Sequence, residues 1–266
     1  MIRIAPLLLL LNLFCTLQIF ATEFFDDFEI HYKLGNEYNM QGMLDEAISE
    51  YHAAIKINSG YANIYNNLGV AYSKKRMFDK EIESYKTAID LNAEFEDAYF
   101  NMAIAYGSKG MVDEELSTYQ KLISIDPYNL EGLYNLGHAY RKKEKYDESI
   151  AAYKKVTELY PDYFNAQFNL GVVYGQKGML AEEVIQYKKA LALSPNDAKI
   201  HFNLGIAYGE MKMVEDQIRE FKEALAIDPY YIKAYKNLES AYRQKGLIEE
   251  ADDELSRYNN LIRVER

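Results

Sequence analysis

Six asparagines recur at intervals of 34 residues along this sequence. They are Asn67, Asn101, Asn135, Asn169, Asn203 and Asn237. An asparagine side chain carries both an N–H donor and a C=O acceptor, so it can bond to the C=O and N–H groups of a peptide backbone. If the six lie along one surface, they form a ladder that could hold an extended segment of another protein without reading its side chains. The alternative is that the amides cap or bridge neighbouring helices, and the sequence leaves both interpretations open.

Aromatic residues stand at the position directly before the asparagine position in five of the repeated segments. They are Tyr32, Phe100, Tyr134, Phe168 and Phe202. Exposed apolar patches tend to mark binding surfaces, and aromatic rings often dominate their energetics. We therefore expect aromatic pockets beside the asparagine ladder, with nearby glycines such as Gly107 and Gly175 leaving room for a ligand. The alternative is that the rings pack sideways onto the next repeat.

Residue patterns for catalysis or metal binding are not found. The four histidines, at positions 31, 52, 138 and 201, do not cluster in the repeat, and the single cysteine excludes a zinc site built on cysteines. The sequence contains neither a phosphate-binding glycine loop nor a Gly-x-Ser-x-Gly elbow. We therefore expect no enzyme activity, no cofactor and no metal.

The spacing of the asparagines continues through most of the sequence. Seven segments of 34 residues follow one another without insertion from residue 28 to residue 265, and each has a tyrosine at its eleventh position, from Tyr38 to Tyr242. A fixed period of this length is typical of stacked repeat proteins. In the last repeat Asp252 replaces an apolar residue, which favours a polar capping helix. The predicted repeats are 28–61, 62–95, 96–129, 130–163, 164–197, 198–231 and 232–265.

Each repeat is predicted to form two helices. Counting from 1 at its first residue, apolar residues at positions 4, 7, 8 and 11 form a one-sided helical stripe. Glycines at position 15, such as Gly42 and Gly110, suit the left-handed residue that ends a helix. Acids at position 18, such as Asp45, favour the start of a second helix. Because neither helix can bury its stripe alone, the repeats must stack into an all-α solenoid.

The sequence resembles the tetratricopeptide repeat family. Asn-Leu-Gly-Val-Ala-Tyr at 67–72, Asp-Glu-Ala-Ile at 45–48 and Ala-Ile-Asp-Pro at 226–229 match the pattern of this family closely. The resemblance implies a right-handed superhelix whose first helices line a concave groove and whose second helices form the convex back. It also implies a peptide-binding role for groove asparagines, as in the repeat arm of the O-linked N-acetylglucosamine transferases.

Position 20 of the repeat departs from the family pattern. The family usually has alanine there, but Glu81, Glu115 and Glu183 occupy it in three repeats of this sequence. Long charged side chains can extend outward from a helix, so we expect these three to point towards solvent. Repeats of this kind are expected to pack more loosely than an idealised one.

The first 21 residues have the composition of an export signal. A positive start at Arg3 is followed by an apolar stretch that ends at Ala21, and residues 22–27 form a short acidic leader. The alternative is an uncleaved membrane anchor, since residues 4–21 are at the short end of what can span a bilayer. Either interpretation places the repeats outside the cytosol, as a periplasmic, secreted or membrane-anchored protein.

The net charge of −11 argues against a general nucleic-acid partner, because phosphate binding needs a basic surface. The groove positions are more basic than the rest and carry eight bases against four acids. The bases are Lys33, Lys74, Arg141, Lys142, Lys199, Lys233, Lys236 and Arg243, and the acids are Glu29, Asp97, Glu131 and Glu210. Four of these bases lie in the last two repeats, so an acidic end of a partner segment would be drawn there.

Together these features predict a non-enzymatic scaffold that binds an extended or disordered segment of another protein in the groove. The alternative function is an assembly factor that docks folded subunits of a cell-envelope complex, such as a pilus, secretion or polysaccharide-export machine, by its convex face or edges. In both cases the partner is a protein, and a membrane is involved only through the possible anchor.

Overall fold

The computed structural model describes residues 27–264, and all regular structure in that range is helical. The predicted export segment, residues 1–21, and the acidic leader up to residue 26 lie outside the described residues.

Fourteen helices follow one another in the described residues. The first, α1, covers residues 27–41. The others are α2 (Leu44–Ile57), α3 (Ala62–Lys74), α4 (Phe78–Leu91), α5 (Glu96–Ser108), α6 (Val112–Ile125), α7 (Leu130–Lys142), α8 (Tyr146–Leu159), α9 (Phe164–Gln176), α10 (Leu180–Leu193), α11 (Ala198–Glu210), α12 (Val214–Ile227), α13 (Ile232–Lys245) and α14 (Ile248–Val264). From α3 onward, odd-numbered helices start at repeat position 1, and every even-numbered helix starts at position 17.

The described residues divide into two compact parts, which we call the N-terminal half, up to residue 127, and the C-terminal half, from residue 128 onward. The N-terminal half contains α1–α6 and the C-terminal half contains α7–α14. Within each half, the two helices of a repeat pack together, and the second helix also packs against the first helix of the next repeat. This is the all-α solenoid arrangement that the hydrophobic stripes predict.

A buried ring at repeat position 24 holds the two helices of a repeat together. Tyr51, Tyr85, Tyr119, Tyr153, Tyr187 and Phe221 occupy this position and are at most 3% exposed. In five of these repeats the ring lies on a glycine at position 8, and a Cβ on Gly205 would be only 2.5 Å from Cε1 of Phe221. The close approach of ring and backbone therefore favours glycine at position 8, and the third repeat has the next smallest residue, Ala103, opposite Tyr119.

The turn between the two helices of a repeat has a residue with positive φ at position 15. Four glycines there have φ between 73° and 82°, which confirms the prediction from their spacing. Arg76, Glu144 and Lys212 occupy the same position in the other repeats with φ of 57–61°. The hairpin geometry is thus kept even where the residue is not glycine.

Candidate functional site

The predicted asparagine ladder lies on the first helices of the repeats, and all six side chains are half-buried. In the N-terminal half the amides link consecutive first helices. Asn67 Nδ2 donates to Asn36 Oδ1 at 2.8 Å and to the Tyr32 hydroxyl at 3.4 Å. Asn101 Nδ2 donates to Asn66 Oδ1 at 3.1 Å. These bonds join α3 to α1 and α5 to α3, so the amide nitrogens stabilise the stacking of repeats.

In the C-terminal half the amides mainly bond to their own helix. Nδ2 of Asn135, Asn169 and Asn237 donates to the backbone carbonyl four residues earlier, at 2.7–2.8 Å. Asn169 Nδ2 also donates to the Tyr134 hydroxyl at 2.9 Å, which joins α9 to α7. Each of these amides is therefore held in one orientation by the scaffold.

These bonds revise the expectation that each amide offers both a free donor and a free acceptor. In five of the six asparagines the nitrogen donates inside the scaffold. The Oδ1 atoms of these five accept no hydrogen bond from the described residues, and none is among the buried polar atoms without a partner. The fixed nitrogen leaves the oxygen, an acceptor, as the group available to a ligand. Asn203 has no hydrogen bond through its side chain among the described residues.

The predicted aromatic residues beside the ladder are half-buried and pack on the core. Four of the rings lie 5.6–6.1 Å, centroid to centroid, from the position-24 ring of their own repeat: Phe100 on Tyr119, Tyr134 on Tyr153, Phe168 on Tyr187 and Phe202 on Phe221. Tyr32 packs edge-on against Tyr61 at 5.4 Å. The rings are therefore part of the repeat core, and only their outer edges are available to a ligand.

The glycines at position 12 do not leave room for a ligand, and that prediction was wrong. A Cβ on Gly107 would lie 2.8 Å from Cδ of Glu115, and a Cβ on Gly175 would lie 2.6 Å from Cδ of Glu183. The prediction that the position-20 acids point outward was also wrong, since Glu81, Glu115 and Glu183 are only 2–7% exposed. The carboxyl side chains of Glu115 and Glu183 fill the space that the glycines provide.

Positions 12 and 20 are matched in size throughout the described residues. Gly209 faces Gln217, whose Nε2 would be 2.5 Å from an added Cβ. Where position 12 is the large Arg141, position 20 is the small Ser149, and its hydroxyl donates to the Gly137 carbonyl at 2.7 Å. The pairing shows how the repeat accommodates a large side chain at position 20.

Burial changes the acidity of the position-20 carboxyls. Desolvation, with a smaller contribution from the charge of Glu210, raises the pKa of Glu183 to about 7. Desolvation also raises the pKa of Glu81, and a hydrogen bond from Ser73 opposes that rise. The described residues contain no group of three or more His, Cys, Asp or Glu side chains that could hold a metal ion.

The basic groove positions differ in how far their charges are engaged. Lys199 Nζ lies 4.6 Å from the ring centroid of Phe168, a cation–π contact. Arg243 bonds to Glu239 and, at 2.8 Å, to Asp252. Lys233 and Lys236 are exposed. In the C-terminal half these positions carry six bases and two acids, whereas in the N-terminal half they carry two of each.

Grooves between successive second helices were not found by sequence reasoning. A cavity of about 440 Å³ lies between α2 and α4 above α3, and one of about 430 Å³ lies between α4 and α6 above α5. In the C-terminal half a cavity of about 510 Å³ lies between α8 and α10 above α9. The hydrophobic stripes identify which helix faces are buried, but they carry no information on gaps between second helices.

Ion pairs between consecutive repeats were also missed. Lys at position 14 bonds to an acid at position 18 of the preceding repeat, as in Lys75 with Asp45 and Lys177 with Asp147. The 30-residue spacing of these opposite charges, which crosses the repeat boundary, is the signal that could have found them.

No helix in the part of the chain that the structure describes is long and apolar enough to cross a membrane.

Solved structures of similar architecture match the chain, and three of them illustrate the range of similarity. The crystal structure of the MamA protein has 25% sequence identity and a TM-score of 0.61, and the match covers 64% of this chain and 92% of that one. YrrB, described as a TPR protein with an unusual peptide-binding site, has 23% identity and a TM-score of 0.63, covering 69% and 95%. A tetratricopeptide repeat protein from Parabacteroides merdae has 16% identity and a TM-score of 0.65, covering 89% and 93%.

Family models match the sequence without a gap from residue 35 to residue 212. A model described as TPR repeat matches residues 35–75, 137–178 and 184–212, and two described as tetratricopeptide repeat match 62–95, 96–129, 118–151 and 164–197. Comparison with curated protein sequences gives no match. The helix pairs, the buried rings and these matches together place the chain in the tetratricopeptide repeat family.

Proposed function

We propose that this tetratricopeptide repeat protein binds an extended segment of a partner protein along its first helices, through the oxygen atoms of the asparagine ladder. The family as a whole serves as a scaffold for protein–protein interaction, and the proposal concerns which surface does the binding. No step of it requires catalysis, and the expectation of a non-enzymatic role is kept.

The proposal rests on the hydrogen bonds that the asparagine side-chain nitrogens make within the protein. In Asn135, Asn169 and Asn237 the nitrogen is held by the helix itself, at 2.7–2.8 Å. A held nitrogen fixes the orientation of the amide before a ligand arrives, so less side-chain entropy is lost on binding. The oxygen then accepts from a backbone N–H of the bound segment. An extended strand offers such N–H groups regularly along its length.

The expected affinity follows from the number of such bonds. Six hydrogen bonds at a net ~0.5–1.5 kcal/mol each sum to roughly 3–9 kcal/mol. Ordering a flexible segment costs a few kcal/mol in return. The hydrogen bonds alone therefore reach about micromolar affinity only at the upper end of this range, and the outer edges of the groove rings would add both affinity and selectivity. The peptide-binding site described for YrrB supports the idea that this architecture can hold a peptide.

The proposal can be tested with three asparagines replaced together. The Asn101→Ala, Asn135→Ala, Asn169→Ala variant is compared with wild type for binding of a fluorescein-labelled, reduced and carboxamidomethylated unfolded protein. We expect at least a tenfold loss of affinity. The matched control is Asn196→Ala, Asn259→Ala, Asn260→Ala, three asparagines that are exposed outside the ladder. Equal binding by wild type and a helical, folded ladder variant would rule the proposal out.

A second candidate function is docking of a folded partner on the second helices. It is favoured by the grooves between α2 and α4, α4 and α6, and α8 and α10, which are of a size to accept side chains. Such docking would be unaffected by the ladder substitutions. The same binding assay, run with a folded partner, therefore separates the two functions.

We also propose that the repeats act outside the cytosol, on the basis of the basic start and apolar stretch of residues 1–21. A fusion of alkaline phosphatase after residue 266 should be active in a bacterial host. A fusion that lacks residues 1–21 should be inactive. Equal activity of the two fusions would contradict export by this segment.

A further inference from the structure

The groove between α8 and α10 differs from the others in having two buried glutamines at its floor and wall. Gln167 on α9 is 5% exposed and Gln186 on α10 is 9% exposed. Neither Oε1 atom has a hydrogen-bond partner among the described residues. A buried acceptor without a partner costs about 1–3 kcal/mol of folding free energy. A ligand that donates hydrogen bonds to these oxygens would remove this cost.

The orientation of Gln167 is fixed by a bond to the loop. Its Nε2 donates to the Pro161 carbonyl at 3.1 Å. Exchanging the nitrogen and oxygen would bring two oxygens together at that point, so Oε1 is the atom that faces away from Pro161. This bond fixes Oε1 of Gln167 as an acceptor without a partner among the described residues.

In two other repeats the residues equivalent to the two glutamines are paired with each other. They occupy repeat positions 4 and 23. At the same positions His31 Nδ1 lies 2.5 Å from Glu50 Oε2, and His201 Nδ1 lies 2.8 Å from Glu220 Oε2. In those repeats a donor faces an acceptor across the helix pair. In the α9–α10 pair, two identical carboxamides leave both oxygens unbonded.

The chemistry around the two oxygens selects the kind of group that would satisfy them. The cavity of about 510 Å³ is also lined by Leu170, Leu193, Lys154, Lys189 and Glu158. Two lysines against one glutamate make the rim positive, which disfavours a cationic donor such as arginine or lysine. The two oxygens disfavour a carboxylate. A neutral group with two N–H donors fits these conditions, and its own carbonyl can accept from a rim lysine.

We propose that the groove between α8 and α10 is a docking site for a primary carboxamide side chain, that of glutamine or asparagine, presented by a partner protein. The two amide hydrogens bond to Gln167 Oε1 and Gln186 Oε1 after a small rotation of the terminal torsions, which are broad for this side chain. The methylene groups of the guest pack on Leu170 and Leu193. This site uses the second helix α10 and is independent of the asparagine ladder.

The site is tested by titrating ¹⁵N-labelled full-length protein with the blocked residue N-acetyl-glutamine-N-methylamide. We expect saturable shifts of the side-chain amide signals of Gln167 and Gln186, and no saturable shifts with the isosteric norleucine derivative. Free glutamine should bind no more tightly than the blocked residue, since the proposed guest is part of a chain. Absence of saturable shifts, or tighter binding of free glutamine, would overturn the proposal.

A substitution separates this role from a structural one. Gln186→Met keeps the shape of the side chain and removes one unpaired acceptor, so it should raise the melting temperature by a few degrees. The same substitution should weaken binding of the glutamine derivative at least tenfold. Ser84→Ala is the matched control at the same repeat position in α4, where the hydroxyl already donates to the Lys80 carbonyl at 2.8 Å. It should leave the titration unchanged. A Gln186→Met variant that binds as wild type does would overturn the proposal.

Discussion

Glu183 places a carboxyl group where most proteins of this kind have a small apolar residue. It is packed on Gly175, is 7% exposed, and has a pKa raised to about 7, chiefly by desolvation. The next repeat has Gln217 beside Gly209 in the same arrangement. The neutral isostere therefore fits the same space, and the charge of Glu183 can be removed without changing the packing.

We predict that Glu183→Gln stabilises the protein in a pH-dependent way. In the unfolded chain this carboxyl has its ordinary pKa of 4.5, whereas in the folded protein its pKa is about 7. The folded state therefore binds more protons between these values, and wild-type stability falls as pH rises through that window. The variant should equal wild type near pH 4 and be more stable by about 2 kcal/mol at pH 8, allowing for solvent screening.

Urea unfolding followed by circular dichroism at several pH values measures this difference. The reciprocal variant Gln217→Glu is the matched control and should lose stability over the same pH range. A Glu183→Gln gain that is the same at pH 4 and pH 8 would show that the charge of the buried acid is not its cause.

The contact between position 8 and position 24 is a second feature decided by single residues. A Cβ on Gly205 would be 2.5 Å from the fully buried Phe221 ring. In the last repeat the pair is replaced as a unit, with Glu239 at position 8 and the smaller Leu255 at position 24. A large side chain at position 8 is therefore found where the ring is absent, whereas in the third repeat only the methyl group of Ala103 stands opposite the buried Tyr119.

We predict that Gly205→Ala destabilises the protein by about 1–3 kcal/mol, because the buried ring must shift to admit the methyl group. In a Phe221→Leu background the same substitution should cost clearly less. Thermal unfolding of the four proteins of this double-mutant cycle gives the coupling energy. Equal costs in the two backgrounds would contradict the steric explanation.

At the scale of helices, much of the fold follows from the 34-residue spacing. The glycines at position 15 and the apolar stripes predict where each hairpin turns and which faces are buried. The contents of the space between two helices could not be predicted in this way. Pattern reasoning treats each position by itself, whereas Gly175 and Glu183 are explained only as a pair. The same limit applies to the ladder, because the helical pattern does not show that Asn135 donates to its own backbone.

Consecutive repeats are linked by exposed ion pairs that follow a simple rule. Lys at position 14 meets an acid at position 18 of the preceding repeat, as in Lys177 with Asp147 and, at 3.2 Å, Lys245 with Glu215. The rule is broken between the fifth and sixth repeats, where Met211 and Ala181 occupy these positions. The chain therefore contains an internal site where the pair can be added as well as sites where it can be removed.

We predict that Lys177→Met lowers stability by less than about 1 kcal/mol and that the loss disappears in 1 M salt, since exposed pairs are weak and screened. The double variant Ala181→Asp, Met211→Lys should give a gain of similar size at low salt only. Thermal melts at 20 mM and 1 M sodium chloride check both. Effects that persist at high salt would show that packing, and not charge, links the repeats at this point.

At the scale of the whole molecule, acidic charge is distributed unevenly along the chain. Residues 1–127 contain 10 Lys and Arg against 19 Asp and Glu, whereas residues 128–266 contain 20 against 22. The C-terminal half also has the excess of bases at its groove positions. An acidic partner segment should therefore be attracted to the C-terminal half and repelled by the N-terminal half.

We predict that a peptide with a run of glutamates associates faster than its glutamine counterpart, and that this advantage falls steeply with ionic strength. Lys233→Gln, Lys236→Gln should reduce the association rate while leaving the dissociation rate nearly unchanged. Stopped-flow fluorescence measures both rates. The matched control is Lys188→Gln, Lys222→Gln, two exposed lysines on the second helices α10 and α12. An equal effect of the two double variants would contradict steering by the groove.

The most direct test of the account measures the bond between a ladder oxygen and the backbone of the bound segment. A binding peptide is synthesised with one backbone N–H at a time replaced by an ester oxygen, and each version is titrated against wild type and Asn135→Ala. We predict that one ester position weakens peptide binding to the wild-type protein by about 0.5–1.5 kcal/mol and leaves binding to the Asn135→Ala variant unchanged. If every ester position affects the two proteins equally, the asparagine ladder does not hold the partner's backbone.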